Sequence, residues 1–168
     1  MKKILLGLMV IGIATQAFSQ DPQPIELSEV IVKPVNYRYL NQVDSRLAAI
    51  PVKMLERKVA SYDITEQDFY QDDFDYYTVS FFIPEGKIVA VYDQEGNVLR
   101  TIEKFKDIKL PDAVMDAIAE RFPNWEVVSD VYRVKYNDMK GAKQSYKLRL
   151  ENGDKTMRVK IDENGEFM

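Results

Sequence analysis

The side chains that carry most enzyme chemistry are missing from this sequence. Its 168 residues contain no His and no Cys. Thiol nucleophiles, imidazole bases, His-dependent triads and zinc sites of imidazole or thiolate are therefore excluded. A nucleotidyltransferase relying on HxGH falls on the same ground. Neither GxGxxG nor GxxxxGK[ST] occurs, so the common phosphate-cradling loops are absent too. Carboxylates, Lys, Tyr and Ser remain. Asp63, Glu66, Asp68, Asp72, Asp73 and Asp75 form an acidic stretch interleaved with Phe69, Tyr70 and Phe74. A hard cation could use several of those oxygens, or a carboxylate-dependent hydrolase two of them. The favoured reading is plainer: a solvated connector whose aromatics cap a core. The D-x-x-G segments at Asp93 and Asp162 invite a calcium loop, which needs a Glu at its twelfth position. Lys104 stands there in the first, and the chain ends soon after the second. Hairpin turns are the expectation. No catalytic residue, metal ligand or cofactor is predicted.

The sharper pattern is an alternation. Successive side chains of a strand face opposite ways. Tyr132, Val134 and Tyr136 alternate with Arg133 and Lys135. Tyr146, Leu148 and Leu150 alternate with Lys147 and Arg149, and Met157, Val159 and Ile161 with Arg158 and Lys160. If these strands pair, six cations cover the side of a sheet away from its helix. One reading is a wet face that discourages edge aggregation. The other is a binding patch for an acidic protein surface, a polyanionic glycan or a lipid headgroup. The first half differs. Registering Asp93 on Asp162 sets Val89 and Val91 where Arg158 and Lys160 stand, with Phe82 beside them and Ile88, Ala90 and Tyr92 on the core side. That sheet reads as apolar on both sides and calls for a cover. A strand at Glu26–Val32 with Tyr37 and Tyr39 is expected to supply it, a second protomer or a target protein being the alternative.

The elements that must carry these faces come in two passages. Pro51 opens a helix over 51–62, with Val52, Leu55 and Val59 on one stripe; Pro111 opens another over 111–122, with Val114, Ala117, Ile118 and Phe122. Strands are expected at 76–83, 87–92 and 98–102 after the first helix. After the second they fall at 125–136 (interrupted near Ser129-Asp130), 145–150 and 156–161. Gly86, Gly96, Gly141, Gly153 and Gly165 all fall in the turns, where positive φ is wanted. Trp125, at a helix-to-strand corner, is expected to pack rather than to stack on sugars. Asn36–Asp44 reads as a connector.

The order LP-helix, FPNW, alternating strands and a closing (Y/I)D-x-x-G-x-hydrophobic resembles the PepSY-like repeat, and in tandem the β-lactamase-inhibitor-protein-like (BLIP-like) fold. The resemblance spans roughly 45–168 and is clearest over 109–168. It implies an α+β fold of two repeats, each a helix on an antiparallel sheet, in a non-catalytic exported protein that binds others. No residue-level match to an inhibitory loop accompanies it.

The expected organisation is then a signal peptide at 1–19, a linker and strand at 20–44, and repeats at 45–104 and 105–168. Lys2 and Lys3 precede an apolar run, Ile4–Ala14, too short to span a bilayer of about 30 Å, and Ala17-Phe18-Ser19 offers a cleavage site. Losing those lysines takes the net charge from −4 to −6, which argues against general nucleic-acid binding. No later apolar run approaches the roughly 20 residues of a membrane-spanning helix. The expected function is non-enzymatic protein binding in the periplasm or outside the cell, through the exposed sheet face. The competing reading is a structural protein that assembles with itself through the apolar first sheet.

Overall fold

The computed structural model describes residues 36–168. The expected signal peptide, linker and Glu26–Val32 strand lie outside the described residues. Three helices and six strands follow: α1 (Tyr37–Val43), α2 (Ile50–Ala60), β1 (Tyr76–Ile83), β2 (Gly86–Asp93), β3 (Val98–Lys106), α3 (Asp112–Arg121), β4 (Glu126–Asn137), β5 (Gly141–Asn152) and β6 (Lys155–Ile161). The strands form one antiparallel sheet in the order β1-β2-β3-β4-β5-β6. No described helix is long and apolar enough to cross a membrane.

Separate sheets for the two halves are not what forms. β3 runs to Lys106, four residues past its expected end, and pairs with β4 from Arg100↔Asn137 to Lys106↔Val131. The extension welds the halves into one six-stranded sheet. Asn36–Asp44, expected as a connector, contains α1 instead. Its short helix is held by tertiary contacts: Tyr39 and Val43 are buried, and the Asn36 amide donates to Gly96 O (3.0 Å) while its Oδ1 accepts from Val98 N (2.6 Å). Such contacts leave no periodic mark in seven residues.

The helices pack as their stripes dictate. Val52, Leu55 and Val59 of α2 and Val114 and Ile118 of α3 are buried. They cover the sheet face made by Ile88, Ala90 and Tyr92 of β2, Phe105 of β3, Tyr132 and Val134 of β4, and Tyr146, Leu148 and Leu150 of β5. Trp125 packs, half-buried, against this core. β4 crosses Ser129-Asp130 unbroken, taking up the irregularity as a register shift between Val127 and Ser129. Tyr92 Oη donates to the Val59 carbonyl at 2.9 Å and so ties β2 to α2. Tyr92→Phe should lower the unfolding free energy by about 1 kcal/mol in a urea titration. An unchanged midpoint would mean that bond holds nothing.

The two D-x-x-G segments are turns of the same hydrogen-bonding pattern. In the first, Gly96 N donates to Asp93 O (3.1 Å) and Asn97 N to Asp93 Oδ1 (2.7 Å). In the second, Gly165 N donates to Asp162 O (3.3 Å) and Glu166 N to Asp162 Oδ1 (2.9 Å). Matching them sets β2 on β6 and β1 on β5. β3 then falls on the single bridge Ile161↔Phe167, and β4 on the acidic stretch before β1, where there is no strand. The strand complements are therefore unequal.

Candidate functional site

The helix-free face of the sheet gathers cations from five strands. Strand register arranges them in rows. Phe82 faces Lys87, Lys87 faces Lys104, and Lys104 faces Arg133. The next row runs Ser80, Val89, Ile102, Lys135, Lys143, and beyond it Val91 faces Arg100. On the other side Lys106 and Val131 lead to Lys147 and Lys160, and Arg149 faces Arg158. Neighbouring strands lie about 4.8 Å apart, so charges in one row stand close. Eleven Lys and Arg share this face with three carboxylates by the same alternation: Asp93, Glu126 and Glu151. Asp93 is engaged in its own turn. Arg149 and Glu151, 2.6 Å apart, form the one ion pair among the described residues.

The six cations expected from alternation are thus brought together, as neighbours on one face. Lys135, Lys147, Arg149 and Arg158 are exposed, and Arg133 and Lys160 half-buried. The expected apolar first half needs correction. Phe82, Val89 and Val91 do share the open face, and Phe82 is 67% exposed. Lys87, Arg100, Lys104 and Lys106 stand among them, however, so the cationic field extends over every strand but β1. Stopping β3 at Ile102 hid two of these, and the alternation of β2 and β3 was the available signal. Tyr39 does not cover this face. It lies on the opposite side of the sheet, ring-to-ring with Tyr136 at 5.2 Å, while Tyr37 is exposed.

Val89 and Ile102 lie in a shallow depression of about 300 Å³ whose lining includes Lys87, Lys104, Arg133 and Lys135. Ile102 is 62% exposed there. Arg133 Nε is buried without an acceptor among the described residues. An open apolar spot ringed by positive charge is chemically suited to a negative, partly apolar surface.

The acidic stretch forms no comparable site. Asp68, Asp72, Asp73 and Asp75 are exposed, and Asp63 Oδ1 accepts from the backbone and hydroxyl of Thr65 at 2.9 and 2.7 Å. Phe69, Tyr70 and Phe74 surround Tyr77. Among the described residues no three His, Cys, Asp or Glu are grouped to hold a metal ion.

One ionisable pair went unread in the sequence. Glu56 of α2 and Glu103 of β3 are each 1% exposed, on the helix side. Glu103 Oε1 accepts from Tyr39 Oη at 2.9 Å and Thr101 Oγ1 at 2.6 Å. Burial, then the Glu103 charge, pushes Glu56 up to about 10. Burial also raises Glu103, against the hydrogen bonds from Thr101, Tyr39 and Glu56 that lower it. A protonated Glu56 sharing its hydrogen with Glu103 accounts for both shifts. So buried, the pair meets no solute, and its role is to lock α1 and α2 to the sheet. Glu56 lies on the Val52–Val59 stripe, so helical spacing was the available signal for it, whereas Glu103 lies one residue past the expected end of β3.

No protein-family model matches this chain, nor does any curated protein. Among solved structures the chain is similar to a BLIP-like protein from Bacteroides fragilis, with 23% identity over 58% of this chain and 68% of that one, and a TM-score of 0.35.

Proposed function

We propose that this is an exported, non-enzymatic binding protein of two fused PepSY-like repeats, which docks an acidic protein partner on the open face of its sheet. One observation carries the reading. Five like-charge pairs stand directly opposite each other across the strands: Lys87–Lys104, Lys104–Arg133, Lys135–Lys143, Lys147–Lys160 and Arg149–Arg158. Such pairs are destabilising, by roughly the 0.2–1 kcal/mol that favourable cross-strand pairs contribute. A merely solvated face would mix its signs, as the rest of an acidic chain does. Concentrating positive charge on one face of a protein with net charge −4 suits association with a negative partner.

The test is chemical cross-linking from the cell envelope, with two variants compared. Reversing Arg133, Lys147 and Arg158 to Glu should abolish partner capture, about a hundredfold or more in affinity. Reversing Arg57 and Lys58, exposed on α2, should leave it intact. Equal capture by both variants would remove the face from consideration.

Self-association is the second reading. It is favoured by the edge strand β1, which pairs only with β2 among the described residues, and by exposed Phe82. Two copies meeting face to face would oppose one cationic field to another, so an edge-on meeting, at β1 with its exposed Phe82, suits it better. Light scattering decides, since a strict monomer at high concentration removes this reading.

A further inference from the structure

We infer that the depression formed by Val89 and Ile102 is a specificity pocket, taking one aromatic or branched apolar side chain that an acidic polypeptide presents between its carboxylates. This rests on the docking face proposed above and names what that face recognises.

Two independent features converge. The apolar spot lies within the charged field: Val89 and Ile102 face each other across β2 and β3. Lys87 and Lys104 occupy the adjoining row on the same two strands, and Lys135 stands directly opposite Ile102. Exposing 62% of an Ile side chain amid ammonium groups gains nothing in water, whereas covering it with an apolar group is favourable. The other feature is a donor without an acceptor. Arg133, half-buried in the lining of the depression, makes no ion pair among the described residues. A carboxylate docked beside its guanidinium would supply one, and Arg is the side chain best matched to carboxylate. Apolar contact and carboxylate contact are thus required a few ångströms apart, which an acidic peptide bearing one apolar side chain satisfies.

Other anions fit less well. A plain polyanion would cover Ile102 without gain. A lipid surface is planar, whereas adjacent strands rotate by about 20–25°, so six strands turn the face through about 100° or more from edge to edge. A bilayer meets only part of such a face; a polypeptide surface can follow it.

The test is fluorescence anisotropy with the purified protein and two labelled oligoglutamate peptides, one with a central Phe and one with a central Ser. Vesicles of phosphatidylglycerol form a third arm. The Phe peptide should bind about tenfold more tightly than the Ser peptide, matching an apolar side chain partly removed from water. Ile102→Ser should erase that difference. Arg133→Gln should weaken both peptides. Circular dichroism checks that each variant is folded, and Val89→Ser provides a second probe of the pocket. Equal affinity of the two peptides for the unaltered protein would overturn the pocket while leaving the cationic face standing. Binding of neither peptide would overturn both. Ile102-dependent binding of vesicles alone would make the occupant a lipid surface and reject the inference.

Discussion

Glu56→Gln makes the protein more stable than its parent at pH 8, and the advantage shrinks as the pH falls. Glu56 titrates at 4.5 in an unstructured chain and at about 10 in the fold. The folded state therefore holds a proton that the unfolded chain releases throughout that interval. Stability from this group is complete below about pH 4.5 and declines as pH rises towards 10, by about 1.4 kcal/mol per pH unit for one proton. Between pH 6 and pH 8 the parent should lose about 3 kcal/mol from Glu56. Gln mimics the protonated acid in shape, can donate to Glu103, and carries no proton to release, so the variant lacks this slope. Asp130, which burial and then Asp107 push up to about 6, adds the same sign but has finished titrating near neutrality. Urea titrations of both proteins at pH 5, 6, 7 and 8 give the comparison. Parallel stability curves would show that Glu56 is ionised in the folded protein.

Gly86→Ala is expected to cost at least about 3 kcal/mol, the upper end of overpacking in a close-packed interior. The residue opens β2 opposite Phe105 of β3. A Cβ there would collide with the Lys104 carbonyl oxygen and come within 2.6 Å of Phe105 Cδ1 and 2.8 Å of Phe105 Cα. Backbone atoms cannot swing aside as a side-chain end can, so β2 and β3 would have to part at the hairpin. The control is Gly153→Ala. Nothing lies within 4 Å of its added methyl, and only its φ of +56° opposes the substitution, which costs about 1 kcal/mol. Comparable losses in the two variants would dispose of the close-approach explanation. The same comparison corrects the expectation that every turn glycine answers a need for positive φ. Gly96, Gly141, Gly153 and Gly165 have it, whereas Gly86 is required by contact.

Much of the architecture could be read from short-range patterns. The apolar stripes of α2 and α3, the prolines at their starts and the alternation in β1, β2, β5 and β6 are local consequences of helix and strand periods. The faces of Arg133, Lys147 and Arg158 followed from that alternation before any pairing was known. α1 was not legible, because its seven residues hold together through Asn36, Tyr39 and Val43 reaching distant parts of the chain. Nor was the end of β3, since Glu103 and Lys104 look like the polar close of a strand. Glu103 belongs inside only because Tyr39, Thr101 and Glu56 meet it there.

Sequence alone settled which chemistry this protein lacks, since a chain without His or Cys cannot assemble imidazole or thiolate sites in any fold. It also settled which side chains share a strand face, since alternation is a property of the extended backbone. Pairing between strands distant in sequence is a property of the whole fold, and it decided the rest. Bringing β3 against β4 joined seven cations on one half to four on the other in a continuous field of eleven, set Val89 and Ile102 within it, and buried Glu56 against Glu103.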